Sequence, residues 1–307
     1  MMIILGYDGS TYADAALRDL DRAGLPAETE AVVLSAADIW PSRPEWMLEG
    51  PAPDQERRMS LADRAAYELA LYAMQRARAA ARDGEEKLRR LLPAWHVAAR
   101  ARAGPPAGSL ITEATQQSAD LVVLGSRGTS LLPGLLLGGV SRRVVAHAPC
   151  SVRIGRVRED REQGSPVRLL LGMDGSANAR LAANSVASRQ WPAGSTMRIM
   201  ATLDTHLIMA RSASARDREL DARTWVTRVC GDVARELIAA GLSVDVVVEE
   251  GDAAAALVDV AESFDADCVF VGATGLRGLE RFVIGSVSRT VAEQAPCSVE
   301  VVRPSAL

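Results

Sequence analysis

The chain has 307 residues, of which 48% are hydrophobic, 24% are charged and 4% are aromatic, and its formal net charge is −4. This length suits one large domain or two of ordinary size, and the abundant Ala, Val and Leu favour helices packed on a buried sheet. The charge lacks the basic excess that nucleic-acid or anionic-membrane surfaces need, so neither is an expected partner.

In chain order, short apolar runs alternate with segments of helical pattern. The first five predicted strands lie near residues 2–6, 31–37, 96–101, 119–125 and 150–155, with helices near 10–23, 60–92, 108–117 and 141–147 between them. Five more strands are predicted near 168–173, 197–203, 244–249, 268–272 and 298–302. This alternation predicts parallel sheets with helices on both faces, in which ligands bind beyond the carboxyl ends of the strands where strand order reverses.

The second set of elements repeats the first. The segment "ILGYDGS" (residues 4–10) returns as "LLGMDGS" (170–176), and "GGVSRRVVAHAPCSVRIGR" (138–156) returns as "GSVSRTVAEQAPCSVEVVR" (285–303). A repeat as long as a domain indicates a tandem duplication. We expect a first half at residues 1–157, a charged linker at 158–166 and a second half at 167–307.

The sequence shows no targeting or metal-binding pattern. Its start, "MMIILGYDGS", lacks a basic region and a long apolar stretch, and the longest apolar run, near 131–140, is broken by proline and glycine. We therefore expect a cytoplasmic protein without a membrane span. The four cysteines form no Cys-x-x-Cys pair, so we expect buried, unpaired thiols.

A glycine-rich loop follows the fourth strand of each half. The sequences "GSRGTSLLPGLLLGGVSRR" (125–143) and "GATGLRGLERFVIGSVSRT" (272–290) share the spacing Gly-x2-Gly-x9-Gly before a helix. Glycine lets a ligand approach the main chain, and a helix start offers N–H donors and a positive dipole end. We call each loop and helix start a cradle and predict that it binds phosphate. It is neither a Walker A loop nor a dinucleotide fingerprint. The alternative is that the glycines serve only the turns.

An aspartate, Asp8 or Asp174, follows the first strand of each half. Repetition beside the cradle favours a role at the ligand site, and the alternative is a helix cap. With this aspartate and with "APCSV" before the last strand, the pattern resembles the ATP-binding branch of the universal stress protein family, in tandem form, over nearly the whole chain. The resemblance implies a Rossmann-like, five-stranded α/β fold in each half (adenine nucleotide alpha hydrolase-like), with one bound ATP, with or without Mg²⁺.

The resemblance also implies which residues surround the nucleotide. In the first half they are Asp8, Ala36, Gly125, Arg127, Gly128, Gly138, Gly139, Val140 and Ser141. In the second half they are Asp174, Thr202, Gly272, Thr274, Gly275, Gly285, Ser286, Val287 and Ser288. The glycines, Val140, Ser141 and the residues 286–288 would hold phosphates and ribose. Arg127 and Thr274 would lie beside the ribose, Asp8 and Asp174 near the ribose or a metal, and the backbone of Ala36 and Thr202 at the adenine edge.

The first half departs from the family pattern at one position. Gly139 stands where the family has Ser or Thr and where the second half has Ser286. One missing hydrogen bond to phosphate costs about 1–2 kcal/mol, or about tenfold in affinity. We therefore expect the first site to be weaker. Arg127, Arg142 and Arg143 are candidates to compensate, and the alternative is that they are solvated surface residues.

No Ser-His-Asp set or paired catalytic carboxylates recur in both halves, so we expect a nucleotide-dependent stress-response regulator with slow ATP hydrolysis at most. The alternatives are a nucleotide-free interaction module and a Mg²⁺-dependent ATPase or adenylyl-transferring hydrolase. By the resemblance, the last strands, "CSVRI" and "CSVEV", would pair within one chain as a pseudo-dimer, and whole chains would form a homodimer. The protein partner is not identifiable. The segment 39–58, with two tryptophans and four prolines, covers the nucleotide, binds a partner or is a variable loop.

Overall fold

A computed structural model describes residues 1–39, 60–128, 137–156, 162, 164–203, 215–275 and 284–304, without the side chains of 215–223 and 225. The segment 39–58 lies outside the described residues except for Ile39, and so does most of the predicted linker. Within the described residues, no helix is both long enough and apolar enough to cross a membrane.

The first half alternates strands and helices as predicted. Its elements are β1 (Met2–Gly6), α1 (Thr11–Asp19), β2 (Glu30–Ala37), α2 (Leu61–Leu91), β3 (His96–Ala103), α3 (Pro106–Gln116), β4 (Leu121–Gly125), α4 (Gly139–His147) and β5 (Ser151–Gly155). A single 3-10 turn, Leu20–Arg22, extends α1. The strands are short apolar runs with buried centres, which is why they read as continuous hydrophobic segments.

The second half has the same order of elements. They are β6 (Arg168–Gly172), α5 (Ala177–Ala187), β7 (Thr196–Leu203), α6 (Ala215–Ala239), β8 (Ser243–Glu250), α7 (Ala253–Ser263), β9 (Cys268–Gly272), α8 (Ser286–Gln294) and β10 (Ser298–Val302). A serine begins the first helix of each half: Ser10 Oγ accepts from Ala13 N and Ser176 Oγ from Ala179 N, both at 3.1 Å.

All ten described strands lie in one sheet, in the order β3-β2-β1-β4-β5-β10-β9-β6-β7-β8. Neighbouring strands are parallel within each half. The chain moves outward from β1 to β3 and then returns to the other side of β1 with β4. Strand order therefore reverses between β1 and β4, and likewise between β6 and β9, which is where open α/β sheets bind ligands.

The two halves meet through an antiparallel pair of strands, β5 and β10. Val152 lies opposite Val301, Arg153 opposite Glu300, and Ile154 opposite Val299. The predicted pairing of the last strands within one chain is therefore confirmed. One hydrophobic core runs across this pair and contains residues of both halves. The four cysteines are buried and unpaired, as expected.

Candidate functional site

Each cradle begins and ends at the carboxyl end of the strand that precedes it. The N–H of Gly138 donates to Ser126 O, and the N–H of Gly285 donates to Ala273 O, both at 2.7 Å. The loop therefore returns to the strand it left before the helix begins. Residues 129–136 and 276–283, inside the two loops, lie outside the described residues.

In the second half, Asp174 fits closely against the cradle. Its Oδ1 accepts from Ser176 N at 2.9 Å, which fixes the carboxylate at the start of α5. A Cβ atom on Gly275 would lie 2.5 Å from Asp174 Oδ2, closer than atoms pack. A side chain at position 275 would therefore displace the Asp174 carboxylate from the place it occupies beside the loop.

The first half has the same arrangement. Asp8 Oδ1 accepts from Ser10 N at 3.0 Å, and a Cβ atom on Gly128 would lie 2.7 Å from Asp8 Oδ2. The helix-cap alternative accounts for the bond to Ser10 N, but it does not require a glycine on the other side of the carboxylate. The structure thus brings each predicted aspartate together with the second glycine of its loop.

The helix starts complete the two cradles. The caps of α4 and α8 are Gly138 and Gly285, and neither helix has a side-chain cap. Their first N–H groups therefore have no acceptor within the helix. A Cβ atom on Gly138 would lie 3.8 Å from Gly128 N, and one on Gly285 the same distance from Gly275 N. The end of the first strand, the glycine loop and an uncapped helix start thus meet at one point, which is an arrangement that can hold an anion.

Two serines of the cradles face inward. Ser141 Oγ donates to Gly125 O at 2.8 Å and Ser288 Oγ donates to Gly272 O at 2.5 Å, and both serines are buried. Each hydroxyl therefore bonds the first turn of the helix to the end of the strand that precedes the loop. Ser286, at the first position of α8, is exposed, and so is Gly139 at the same position of α4. Among the described cradle residues, the outward donors include the N–H groups at the starts of α4 and α8 and the Ser286 hydroxyl.

The first glycine of each loop has a packing reason of its own. A Cβ atom on Gly125 would lie 2.5 Å from Tyr12 O, and one on Gly272 would lie 2.5 Å from the carbonyl carbon of Asn178. These glycines let the fourth strand of each half approach the first turn of α1 or α5. This packing requires glycine whether or not a ligand binds.

The third residue of each loop, Arg127 or Thr274, differs between the halves, and so does the residue that it contacts. In the second half, Asn178 Nδ2 donates to Thr274 O at 3.2 Å and to Thr274 Oγ1 at 2.5 Å. In the first half, Arg127 Nη1 donates to Tyr12 Oη at 3.2 Å, with the guanidinium 5.4 Å from the ring centroid. The first cradle therefore carries a cation where the second is neutral. Sequence reasoning missed Tyr12 and Asn178, although their equivalent positions in the repeat were a usable signal.

The remaining predicted residues lie at the same edge of the sheet. Ala36 and Thr202 are the second-last residues of β2 and β7, both half-buried, beside β1 and β6. Val140 is exposed and Val287 half-buried, each at the second position of its helix. Every predicted site residue is thus at or near the carboxyl edge. The described residues hold no group of three or more His, Cys, Asp or Glu that suits a metal ion.

A polar cluster anchors the strand end next to Asp8. The Tyr7 hydroxyl donates to Asp14 Oδ1 at 2.5 Å and accepts from Lys87 Nζ at 2.8 Å. Burial and the hydrogen bond to Asp14 raise the pKa of Tyr7, so the phenol stays protonated. Lys87 also pairs with Asp14 and Asp83, so the cluster joins α1 to α2.

Comparison with known proteins agrees with this architecture. The profile of the universal stress protein family matches residues 1–156 and 167–303. A universal stress protein from Synechocystis sp. is 32% identical over 87 residues, which is 28% of this chain and 54% of that protein. One from Thermus aquaticus is 43% identical over 53 residues, 17% of this chain and 39% of that protein.

The crystal structure of a universal stress protein from Archaeoglobus fulgidus resembles the whole fold. It is 21% identical and covers 98% of each chain with a TM-score of 0.63. Because the family profile matches twice and accounts for most of the sequence, the chain belongs to the universal stress protein family, with one matching region in each half.

Proposed function

We propose that each half binds one ATP at its cradle and that nucleotide occupancy controls the protein's activity as a stress-response regulator. One observation carries the proposal. In both halves, the aspartate after the first strand lies against the second loop glycine and beside an uncapped helix start, at the point where strand order reverses. Such a position suits a phosphate-bearing ligand.

The residues present fit this ligand. The N–H groups at the starts of α4 and α8 would meet the phosphates, and the exposed Ser286 hydroxyl would add a donor in the second half. Arg127 or Thr274 would lie beside the ribose, and the ends of β2 and β7 would meet the adenine. Among the described residues, one aspartate lies beside each cradle and would bind Mg²⁺, which commonly binds through one or two carboxylates plus phosphate oxygens.

A nucleotide-free interaction module is the second candidate, and two contacts favour it. Gly272 is required by the approach of Asn178, and the Ser288 hydroxyl is bonded to Gly272 O. These two motif residues therefore have structural roles that need no nucleotide. The close fit of Gly275 against Asp174 and the uncapped start of α8 favour the nucleotide proposal instead.

The position that differs between the two cradles provides a test with a matched control. A Cβ atom on Gly139 meets no atom within 4 Å, so Gly139→Ser fits the first site. Ser286→Gly makes the reverse change in the second site. We expect Gly139→Ser to tighten the weaker ATP site about tenfold and Ser286→Gly to weaken the tighter one about tenfold.

Titration calorimetry with ATP, in the presence and absence of Mg²⁺, measures both changes. Nucleotide released from the purified protein by heating gives the occupancy per chain. Wild-type protein that releases no nucleotide and shows no binding heat would contradict the proposal and favour the interaction module. Binding that neither substitution alters would place the ligand elsewhere.

The proposal includes domain boundaries at 1–157 and 167–307, a linker at 158–166, a cytoplasmic location and a homodimer of whole chains. Limited proteolysis followed by mass spectrometry tests the linker, because an exposed connection is cut before folded halves. Light scattering over a range of concentrations tests the homodimer, for which a mass of one chain at every concentration is the contrary result.

A further inference from the structure

One set of contacts between the halves is the same in both directions. Arg156 Nη2 donates to Ala292 O at 2.9 Å, and Arg303 Nη2 donates to Val145 O at 2.6 Å. The arginines occupy equivalent positions in the repeat, and so do the two carbonyl groups. Two copies of the same half would make these contacts equally well, so they do not distinguish one partner from another.

A second set of contacts is different in each direction. Arg153 contacts Asp19 of its own half through Nε at 2.6 Å and Nη2 at 3.1 Å, and its Nη1 lies 3.2 Å from Glu300 Oε2. Arg189 of the second half binds the other oxygen of Glu300. We call Asp19, Arg153, Glu300 and Arg189 the charge row. All four are buried, with Arg153 only 1% exposed and Glu300 fully enclosed.

The charge row alternates in sign across the junction. It runs from a negative and a positive residue of the first half to a negative and a positive residue of the second. Arg153 and Glu300 lie opposite each other at the centre of the strand pair and are equivalent in the repeat. Two first halves paired in the same register would therefore place Arg153 against a second Arg153, and two second halves would place Glu300 against Glu300.

Net charge does not distinguish these pairings, because each half contributes one positive and one negative residue to the charge row. The order of charges does. The mixed pair has an attractive contact at its centre, whereas either identical pair has a repulsive one in a buried environment. Size acts in the same direction: Arg153 is the largest fully buried side chain in the part of the chain that the structure describes, so two arginines overfill the junction and two glutamates underfill it.

A further contact is lost when two first halves pair. Arg189 Nη1 donates to Ala23 O of the first half at 3.0 Å. Ala23 is the position of the first half that corresponds to Arg189, since each lies the same distance after the helix-capping serine, Ser10 or Ser176. Two first halves would have no arginine for this bond.

We propose that the charge row selects the partner of each terminal strand. The edge of β5 that faces away from β4 accepts β10 of a second half and rejects another β5, and β10 rejects another β10. Each first half therefore pairs with a second half, which belongs either to the same chain or to another chain. A homodimer in which each chain pairs its own two halves would have to use a surface other than these strands.

The linker obscures this selection, because tethered halves meet at a high effective concentration. The test inserts a specific protease site within residues 157–163 of the full-length chain and cuts the folded protein. An isotope-labelled pool and an unlabelled pool of cut protein are then mixed. Native mass spectrometry follows the isotope labels in the pairs of a first half with a second half. When labelled and unlabelled halves are combined at random in these pairs, the halves have exchanged.

At that point we expect mixed pairs to exceed identical pairs at least about a hundredfold, since a buried like-charge contact costs several kilocalories per mole. A variant with Asp19→Asn, Arg153→Met, Arg189→Met and Glu300→Met should approach random pairing. The control, Arg156→Lys with Arg303→Lys, changes the symmetric contacts and should keep the wild-type preference.

Random pairing of the wild-type halves would overturn the proposal, and so would separation into single halves that do not pair again. These measurements on wild-type protein test the pairing preference even if the variant with four substitutions fails to fold. The proposal would also be contradicted if the variant with four substitutions folds and keeps the full preference for mixed pairs. None of these measurements depends on nucleotide binding.

Discussion

The two equivalent arginines, Arg156 and Arg303, should contribute unequally to stability. Each donates to a carbonyl in the last turn of a helix in the opposite half, where a cation also opposes the negative helix end. Arg156 makes a second bond, from Nη1 to Cys297 O at 3.0 Å. In Arg303, Nε and Nη1 are buried and have no hydrogen-bond partner among the described residues.

The magnitudes follow from these bonds. Hydrogen bonds from a charged donor contribute about 1.5 kcal/mol or more each, so Arg156→Met removes about 3 kcal/mol, part of which the packing of the Met chain restores. Arg303→Met removes the bond to Val145 O and a longer one, of 3.5 Å, from the same nitrogen to Ala146 O. It also releases two buried nitrogens, Nε and Nη1, that have no partner among the described residues, which recovers about 1–2 kcal/mol. We expect net losses of about 2 kcal/mol for Arg156→Met and less than about 1 kcal/mol for Arg303→Met.

Urea unfolding of both variants, monitored by circular dichroism, measures the difference as a shift in midpoint at constant slope. Hydrogen exchange of the last turns of α8 and α4 localises it, with faster exchange expected in α8 of Arg156→Met. Equal losses, or a larger loss for Arg303→Met, would refute the reasoning that the unpartnered Nε and Nη1 of Arg303 offset the bonds of its Nη2.

Two further substitutions test the cradle and the charge row. Gly275→Ala places a Cβ atom 2.5 Å from Asp174 Oδ2, so we expect at least a tenfold loss of ATP affinity by calorimetry, whereas Gly139→Ala, which meets no neighbouring atom, should leave it within about twofold; equal effects would contradict the fit seen at position 275. Burial alone would raise the pKa of Glu300, but Arg189 and Arg153 lower it below its ordinary value of 4.5. Because the folded pKa is depressed, the ionised carboxylate stabilises the fold above pH 4.5 and that contribution is lost as the pH falls through the folded value. Glu300→Gln should therefore cost about 3–5 kcal/mol at pH 7 and less in acid, measured by urea unfolding at each pH, and a cost independent of pH would argue against an ionised Glu300.

Local patterns predicted the elements well because their causes lie close together in sequence. The apolar runs before Asp8 and Asp174 predicted the first strands, and the duplicated sequence predicted two equivalent halves. The resemblance to the family implied that the terminal strands pair. The chain segments next to each cradle, from the fourth strand to the following helix, are also continuous in sequence. The alternation of strands and helices predicts that a switch point exists, but its position between β1 and β4 and between β6 and β9 comes from the strand order of the sheet.

Contacts between distant residues were not predictable in the same way. The sequence placed the Ser288 hydroxyl among the outward donors of the cradle, but the structure bonds it to Gly272 O. Which way a hydroxyl turns depends on the path of a loop, and the pattern of residues does not determine that path. Arg153 and Asp19 are 134 residues apart, and only the meeting of β5 with α1 brings them into contact.

The bond from Arg303 to Val145 also affects how the chain is made. The two residues are 158 positions apart, so the last turn of α4 has no bond to Arg303 until that length of chain has been synthesised. At about 5–20 residues per second, this interval lasts roughly 8–30 seconds. A first half that folds during that time presents an unpaired β5 edge and a helix α4 whose last turn lacks its arginine. The newly made first half is therefore most exposed to aggregation and to chaperones in this interval, and completion of β10 ends it.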